Sequence, residues 1–460
     1  MEATTGWPAY ERRVGEMRRG LLALPTSAPV RLRKPTSNLF RPRTGDSSPL
    51  DATGFDGLIA IDTERRTADV LGMTTYEHLV DATLPHGLMP LVVPQLKTIT
   101  LGGAVTGLGI ESTSFRSGCP HESVLEMDVL TGAGEIVTAT PTNEHRDLFF
   151  GFPNSYGSLG YALRLKIELE PVRPYVHLRH VRFGSAAACS EEIARLCAEP
   201  GAAPYDGQQV DFLDATWFGD DQVHLTLGSW AEAAPSTSDY TGSDIYYKSI
   251  QQKKEDWLTV RDYLWRWDTD WFWCSRAFGA QNPRVRALWP KSMLRSNVFW
   301  KLVALERRYG AKARIDALRG RPETEYVIQD VEIPVARTPE FLDFLHRQTG
   351  MEPVWLCPLK QRDRSARWTL YPLDADETYV NVGFWGGVDL PVGEHEPFHN
   401  RAIEEAVADL GGRKSLYSTA FYPEDEFWDN YGGPDYDVLK KTYDPDNRLL
   451  DLYAKTVNRR

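Results

Sequence analysis

The residues best suited to chemistry are gathered in one run, Thr98-Ile99-Thr100-Leu101-Gly102-Gly103-Ala104-Val105-Thr106-Gly107-Leu108-Gly109-Ile110-Glu111-Ser112-Thr113-Ser114. Glycines let a backbone approach a ligand closely and present bare N–H groups to anionic oxygens, and Thr and Ser hydroxyls can join them. The same composition suits a tight turn region in a packed domain, so the glycines alone leave a ligand cradle and a packed turn both open. Two nucleotide signatures are absent. Gly102 to Gly107 lacks the GxGxxG spacing with no clean strand-to-helix switch after it, and no Gly-Lys-Ser/Thr closes the run. Glu111 follows Gly109 by two residues. A carboxyl in an apolar pocket has a raised pKa and can donate a proton near neutral pH; a carboxylate that accepts backbone N–H bonds is the structural alternative.

The elements that must position these residues read as α+β. Strand-like runs Leu58–Asp62 and Thr67–Leu71 flank a hairpin at residues 63–66. Thr74-Thr75-Tyr76-Glu77 is a capping-box pattern that opens a helix through Leu84, with Gly87 placed to end it. Leu125, Met127 and Val129 alternate with Glu126 and Asp128 in a half-buried strand, and residues 135–139 return after a turn at 131–134. Residues 161–170 are the clearest strand: Tyr161, Leu163, Leu165, Ile167 and Leu169 point one way, Ala162, Arg164, Lys166, Glu168 and Glu170 the other. From about 175 to 390, strands mix with aromatic-rich helices. The aromatic residues between Trp257 and Trp300 allow three readings: core, the lining of an acyl site, or contact with a bilayer surface. A helix over residues 399–410 opens the last part, and Tyr443-Asp444-Pro445 reads as a turn.

Composition excludes several classes. The chain has 460 residues, 42% hydrophobic and 25% charged, the profile of a globular protein of two or three domains. Basic residues gather at Arg31, Arg33, Lys34, Arg41 and Arg43, but the net charge of -12 argues against a nucleic-acid partner. No run approaches the ~18 apolar residues of a membrane span, and the polar N-terminus has no signal-peptide character. The five cysteines form neither a CxxC pair nor an even framework, which speaks against a disulfide scaffold or a zinc site and for a reducing cytoplasm.

Residues 98–118 followed by the 125–139 hairpin resemble the flavin-binding domain of vanillyl-alcohol-oxidase (PCMH-type) FAD enzymes. Asp147-Leu148-Phe149-Phe150, Gly157-Ser158-Leu159-Gly160-Tyr161 and Lys441-Thr442-Tyr443-Asp444-Pro445 match further blocks of that family in the same order. The match tightens to the delta-24 sterol reductase (diminuto) branch at Phe115-Arg116-Ser117-Gly118, Pro174-Tyr175-Val176-His177-Leu178-Arg179, Tyr246-Tyr247-Lys248, Val354-Trp355-Leu356-Cys357-Pro358-Leu359 and Glu426-Phe427-Trp428. Within that branch the chain, including Pro35-Thr36-Ser37-Asn38-Leu39-Phe40-Arg41-Pro42, is most similar to bacterial enzymes that saturate methylene-branched fatty acyl chains.

The resemblance implies an α+β fold with a two-part FAD-binding domain over residues 1–175. It further implies a substrate (cap) domain over 176–395 and a C-terminal segment, 396–460, that returns to the flavin. It implies non-covalent FAD, NADPH as electron donor, and reduction of an isolated carbon–carbon double bond in a lipid, converting 10-methylene to 10-methyl acyl chains. A sterol or isoprenoid reductase and an FAD-dependent alcohol oxidase are the alternatives. A cytoplasmic protein in peripheral contact with the inner membrane face is expected. The implied cofactor-binding residues are Thr98, Thr100, Gly102, Gly103, Thr106, Gly107, Gly109, Ser112, Ser114, Gly118, Ile136, Gly157 and Gly160. Glu111, Tyr417 and Tyr422 are the candidate proton donors, the two tyrosines lying near the returning segment; Cys119 and His121 sit where the wider family attaches its flavin covalently, and the closer branch lacks that link.

Overall fold

The computed structural model describes residues 5–37, 39–41, 47–199, 204–219, 222–309 and 322–458. Arg43 of the basic cluster and Asn38 and Pro42 of the N-terminal motif lie outside the described residues.

Strands β1 (Val30–Arg33) and β2 (Ser48–Asp51) form a small parallel ribbon. The first large sheet follows the alternating segments read from the sequence. Its order is β3 (Leu58–Asp62), β4 (Thr67–Leu71), β8 (Gly160–Pro171), β6 (Val124–Thr131), β7 (Ile136–Ala139), with β5 (Leu88–Pro90) on the far end of β8. Helix α2 (Tyr76–Thr83) starts one residue later than the pattern suggests: Thr75 is the cap, its Oγ1 accepting the His78 N–H, while Thr74 Oγ1 is engaged by Gly57 at 2.9 Å. Gly87 ends the following turn at φ 69, a left-handed conformation that favours glycine.

On the polar face of β8 Lys166, Glu168 and Glu170 are half-buried, but Arg164 is not solvated. Arg164 is buried under helix α1 (Trp7–Ala23), and its guanidinium meets Asp128 at 2.7 Å, Asp69 at 2.6 Å and Glu126 at 2.5 Å. Tyr10 of α1 donates to the same Asp128 at 2.5 Å, so the charge is enclosed only because it is fully paired. The glycine run is not the tight turn of one reading: residues Leu101–Gly107 form helix α3, capped by Thr100 Oγ1 accepting from the Gly103 N–H at 3.2 Å. Gly102 is glycine because a Cβ there would stand 2.6 Å from the Gly72 carbonyl oxygen. The helix packs backbone to backbone against the turn after β4, and the Gly102 N–H donates to that same oxygen at 2.9 Å.

The second sheet is antiparallel and eight-stranded, in the order β12 (Glu255–Thr259), β9 (Tyr175–Phe183), β11 (Val223–Ala231), β10 (Phe212–Trp217), β14 (Val354–Leu359), β15 (Tyr379–Asp389), β13 (Thr324–Pro334), β16 (Arg413–Lys414). Side chains alternate across a strand, and the alternation divides its two faces. Val327, Val331, Ile333, Val354, Leu356, Val380, Val382 and Phe384 pack under helices Ala186–Ala198, Thr338–Thr349 and Phe398–Asp409. The intervening residues of the same strands, among them Asp330, Glu332, Trp355, Asn381 and Trp385, look the other way. Trp265, Trp267, Trp271, Phe272, Trp273 and Phe299 join the core on that side.

The C-terminal segment returns to the first sheet. Lys440 Nζ donates to the carbonyl oxygens of Ser158 and Leu449, at 3.0 and 2.7 Å, and pairs with Asp444 at 2.5 Å. Tyr443 Oη donates to Asp147 at 2.7 Å. Three motif blocks far apart in sequence, around 147–150, 157–161 and 441–445, are thereby clamped together.

Candidate functional site

A cleft opens between α3 and the inner face of the second sheet. Thr100, Gly102, Gly103, Thr106, Gly107, Gly109, Gly157 and Gly160 line one wall. Arg31, Lys34, Arg41 and Lys455 line its rim. Lys455 Nζ is fixed by the carbonyls of Tyr156 and Gly157, at 3.2 and 2.6 Å, and Arg41 donates to the Lys455 carbonyl at 2.5 Å and lies 4.8 Å above the Tyr156 ring. Four cations beside a glycine wall, which admits close approach, form a donor set for an anionic, phosphate-bearing ligand. The N-terminal basic cluster, which the overall charge sets aside as a nucleic-acid signal, thus belongs in part to this cleft.

The opposite wall is aromatic and acidic. Phe272, Trp355 and Trp385 line it, with Phe272 5.4 Å from Trp355 and 4.5 Å from Trp385. Trp271 and Phe272 hold consecutive φ values of 46 and 60, a left-handed pair rare for bulky side chains and sustained only by surrounding packing. Here Trp267 stacks on Phe272 at 4.9 Å and Phe40 on Trp271 at 5.6 Å. Against this surface stand Asp330 and Tyr417, both lining the cleft. Asn381 Nδ2 donates to Asp330 Oδ1 at 3.2 Å, Tyr417 hydrogen-bonds the same carboxyl, and Trp385 Nε1 donates to Tyr417 Oη at 2.8 Å. Gly383 pairs with Asp330 across β13 and β15, and a Cβ there would meet the carboxylate at 2.5 Å, so the glycine leaves room for it.

Burial pushes Asp330 up to about 7, against the opposing pull of its bonds to Asn381 and Tyr417. Glu332, on the same face two residues on, is held well above the usual carboxylate range by burial and by Asp330; its partners are Ser415 and Tyr371. Burial and Asp330 push the Tyr417 phenol well above its ordinary value.

The remaining sequence candidates lie elsewhere. Glu111 is buried outside the cleft lining, where Arg266 meets it at 2.9 Å and Asp214 at 2.8 Å, and the Ser112 N–H bonds its other oxygen. Burial raises its pKa, but Arg266 and Ser112 oppose that. A buried guanidinium between two carboxylates holds it in place, the arrangement of the structural reading. Tyr422 packs on Tyr431, 6.0 Å between rings, beneath Arg401. Ser112 bonds Tyr263 Oη at 2.7 Å, and Ser114 Oγ accepts the Glu111 N–H at 3.0 Å. Gly118, at φ 69, is glycine because a Cβ would run into the Glu122 carboxylate. Ile136 packs under α1, and Thr98 is absent from the lining. Cys119 and His121 are buried away from the lining, the imidazole edge-on to Trp368 at 4.3 Å and pushed down to about 3 by burial. Asp330 and Asn381 escape the sequence reading, although Ile328, Asp330 and Glu332 alternating with Val327, Gln329 and Val331 is the pattern that marks two acids on one strand face.

Residues 22–140 match a family described as an FAD binding domain. They span β1, the first sheet up to β7, and α3, so the cationic rim and the glycine wall are mostly parts of that match. The donor set fits the dinucleotide: the cations and the closely approachable glycine wall suit its pyrophosphate, and the aromatic wall suits a flat ring system.

Over 444 residues the chain is 23% identical to the Delta(24)-sterol reductase of Arabidopsis thaliana, covering 88% of this chain and 76% of that protein. Over 422 residues it is 25% identical to the Delta(24)-sterol reductase of Homo sapiens, covering 86% and 75%. Over a shorter stretch of 174 residues it is 32% identical to cytokinin dehydrogenase 2 of Oryza sativa subsp. japonica, 37% of this chain and 29% of that protein.

Proposed function

We propose that this chain is an FAD-dependent oxidoreductase that reduces an isolated carbon–carbon double bond in a lipid, with a 10-methylene fatty acyl chain as substrate and NADPH as electron donor. The observation that carries the reading is the cleft itself: a cation- and glycine-lined wall faces an aromatic wall that holds an acid, Asp330, and two N–H donors, Asn381 and Trp385. When bound, FAD supplies the hydride chemistry that saturation of an alkene requires. Thr100, Thr106, Gly103, Gly107, Arg31, Lys34, Arg41 and Lys455 are the residues placed to hold it.

An isolated alkene carries no carbonyl to polarise, so the protein must present a proton at the second carbon. Asp330 is better matched to that task than Tyr417. A carboxyl pushed up to about 7 is about half protonated at neutral pH and can give that proton up, whereas a phenol at or above its ordinary value of 10 is a weaker acid by at least about three units, roughly 4 kcal/mol. As the O–H proton of Asp330 passes to carbon, the carboxylate left behind accepts from Asn381 and Tyr417, and Trp385 holds the phenol in register. The π bond is exchanged for two C–H bonds, one from that proton and one from a hydride whose electron pair originates in NADPH. Phe272, Trp355 and Trp385 exclude water and give the alkyl chain an apolar surface. A sterol or isoprenoid substrate is the second reading, supported by the similarity to Delta(24)-sterol reductases along most of the chain.

Incubation with NADPH and either a methylene-branched acyl lipid or a side-chain-unsaturated sterol tests both. A mass gain of two hydrogens in the acyl lipid supports the first reading, and in the sterol alone the second. A gain in neither, with oxidation of an alcohol instead, refutes the reductase.

A further inference from the structure

Residues 271–305 contain six basic residues, Arg276, Arg284, Arg286, Lys291, Arg295 and Lys301, and no Asp or Glu, in a chain whose net charge is -12. In the middle of that run stands a short protrusion, helix Pro283–Leu288 and the turn Lys291–Met293. It carries exposed apolar side chains: Leu288 is 87% exposed, Met293 45% and Val285 40%. Scattered exposed apolar residues are ordinary, but three within nine positions concentrate apolar exposure on one short segment. Val285 and Leu288, three residues apart, share one helix face.

The protrusion is anchored. Arg286 points inward from the same helix, pairs with Asp270 at 2.7 and 3.0 Å and donates to the Gly242 carbonyl at 2.6 Å. Trp289 and Phe278 pack on Phe299, with ring centroids 6.1 and 5.6 Å away, and Leu294 is buried. The outer side chains are therefore held out by a fixed base. Arg276, Arg284, Lys291 and Lys301 are exposed around them. Among the described residues, the acidic groups facing this segment are the core partner Asp270, Asp268, which accepts from Ser296 Oγ at 2.5 Å, Glu77 on Arg295 at 2.5 Å, and Asp239, 3.7 Å from Lys291.

We propose that this protrusion is a docking surface for an anionic lipid bilayer, with Val285, Leu288 and Met293 entering the headgroup–acyl boundary and Arg276, Arg284, Lys291 and Lys301 contacting lipid phosphates. Apolar tips ringed by cations are the general form of interfacial binding, and charge decides the occupant. A second copy of this chain, with its net charge of -12, would be drawn to the cations, but an anionic leaflet supplies phosphates for the cations and an apolar interior for the tips together. The run that carries the protrusion also carries Phe272 on the cleft wall, so docking would bring a membrane and the cleft to one segment of chain. The inference stands whether the substrate is acyl or sterol.

The test is co-sedimentation of the flavin-loaded protein with vesicles of phosphatidylglycerol in phosphatidylcholine and of phosphatidylcholine alone. Binding should favour the anionic vesicles and weaken as salt rises. Leu288→Asp with Met293→Asp should lower it at least about tenfold, and Arg284→Glu with Lys291→Glu should abolish the preference for anionic lipid, each variant keeping the flavin spectrum of the parent. Equal sedimentation of parent and variants, or no sedimentation of the parent, overturns the proposal. So does a wild-type dimer that the apolar double variant converts to monomer, which would assign the patch to self-association.

Discussion

Replacing Asp330 by Asn separates its proton from its shape. The native carboxyl titrates near 7 because it is buried, and in the unfolded chain it titrates near the ordinary 3.9. Between those values the native state binds a proton that the unfolded state has released, so wild-type stability falls as pH rises through the window. Three units correspond to about 4 kcal/mol over the whole span. Between pH 5 and 8.5 about two units are crossed, roughly 2.7 kcal/mol. With an unfolding entropy of about 2.1 cal/mol/K per residue, 460 residues give about 1 kcal/mol per degree, so the difference in Tm between Asp330→Asn and wild type should move by about 3 °C in favour of the variant. Differential scanning calorimetry of flavin-loaded protein across that range measures it. The same variant should lose at least about a hundredfold in turnover, while wild-type turnover should decline as pH rises through about 7, where the donor becomes ionised. Parallel Tm curves and unchanged turnover would refute the reasoning, because Asp330 would then be an ordinary carboxylate with no proton to give.

Other substitutions distinguish cofactor, frame and chemistry. Gly103→Val should lose flavin, read as absorbance per protein, with circular dichroism unchanged: Gly103 lines the cleft and its Cβ meets only the Thr100 side chain, Oγ1 at 2.8 Å and Cβ at 3.9 Å. Gly102→Val should instead destabilise the fold, because its Cβ meets the Gly72 backbone, and thermal denaturation reads that loss. Glu111→Gln should lower Tm by about 3 °C, since removing one charge from a buried pair costs about 3 kcal/mol, while turnover per bound flavin stays within a few-fold of wild type. Acid precipitation should leave flavin in the supernatant and a colourless pellet, because Cys119 and His121 are buried away from the cleft lining; a yellow pellet would show a covalent link.

Local alternation was legible in the sequence, and β3, β4, β6, β7 and β8 of the first sheet fall within a residue or two of the pattern, whereas β5 was not read. Alternation reports which residues share a face but not what covers that face, so Arg164 reads as a solvated residue until α1 is seen to enclose it. The glycine run was recognisable as a site of close approach. Which glycines serve a ligand and which serve packing depends on neighbours such as Gly72 and Glu122 that spacing does not reveal. Glu111 drew attention by its nearness to Gly109, but direction is set by Arg266 from a distant part of the chain. The decisive acid was hidden for the opposite reason: Asp330 sits in a strand of the second sheet, and only the pairing of β13 with β15 brings it beside Asn381 and Gly383 and across from α3.

The central claim is that this cleft delivers electrons to an alkene. The most direct test is anaerobic stopped-flow. The protein is first reduced with one equivalent of NADPH and then mixed with a methylene-branched acyl lipid while flavin absorbance is followed. The account predicts that the lipid restores the oxidised spectrum with formation of one equivalent of methyl-branched product, and that Asp330→Asn is reduced normally yet fails to re-oxidise. Reduced protein that no alkene lipid re-oxidises, but that oxygen re-oxidises at once, would contradict it.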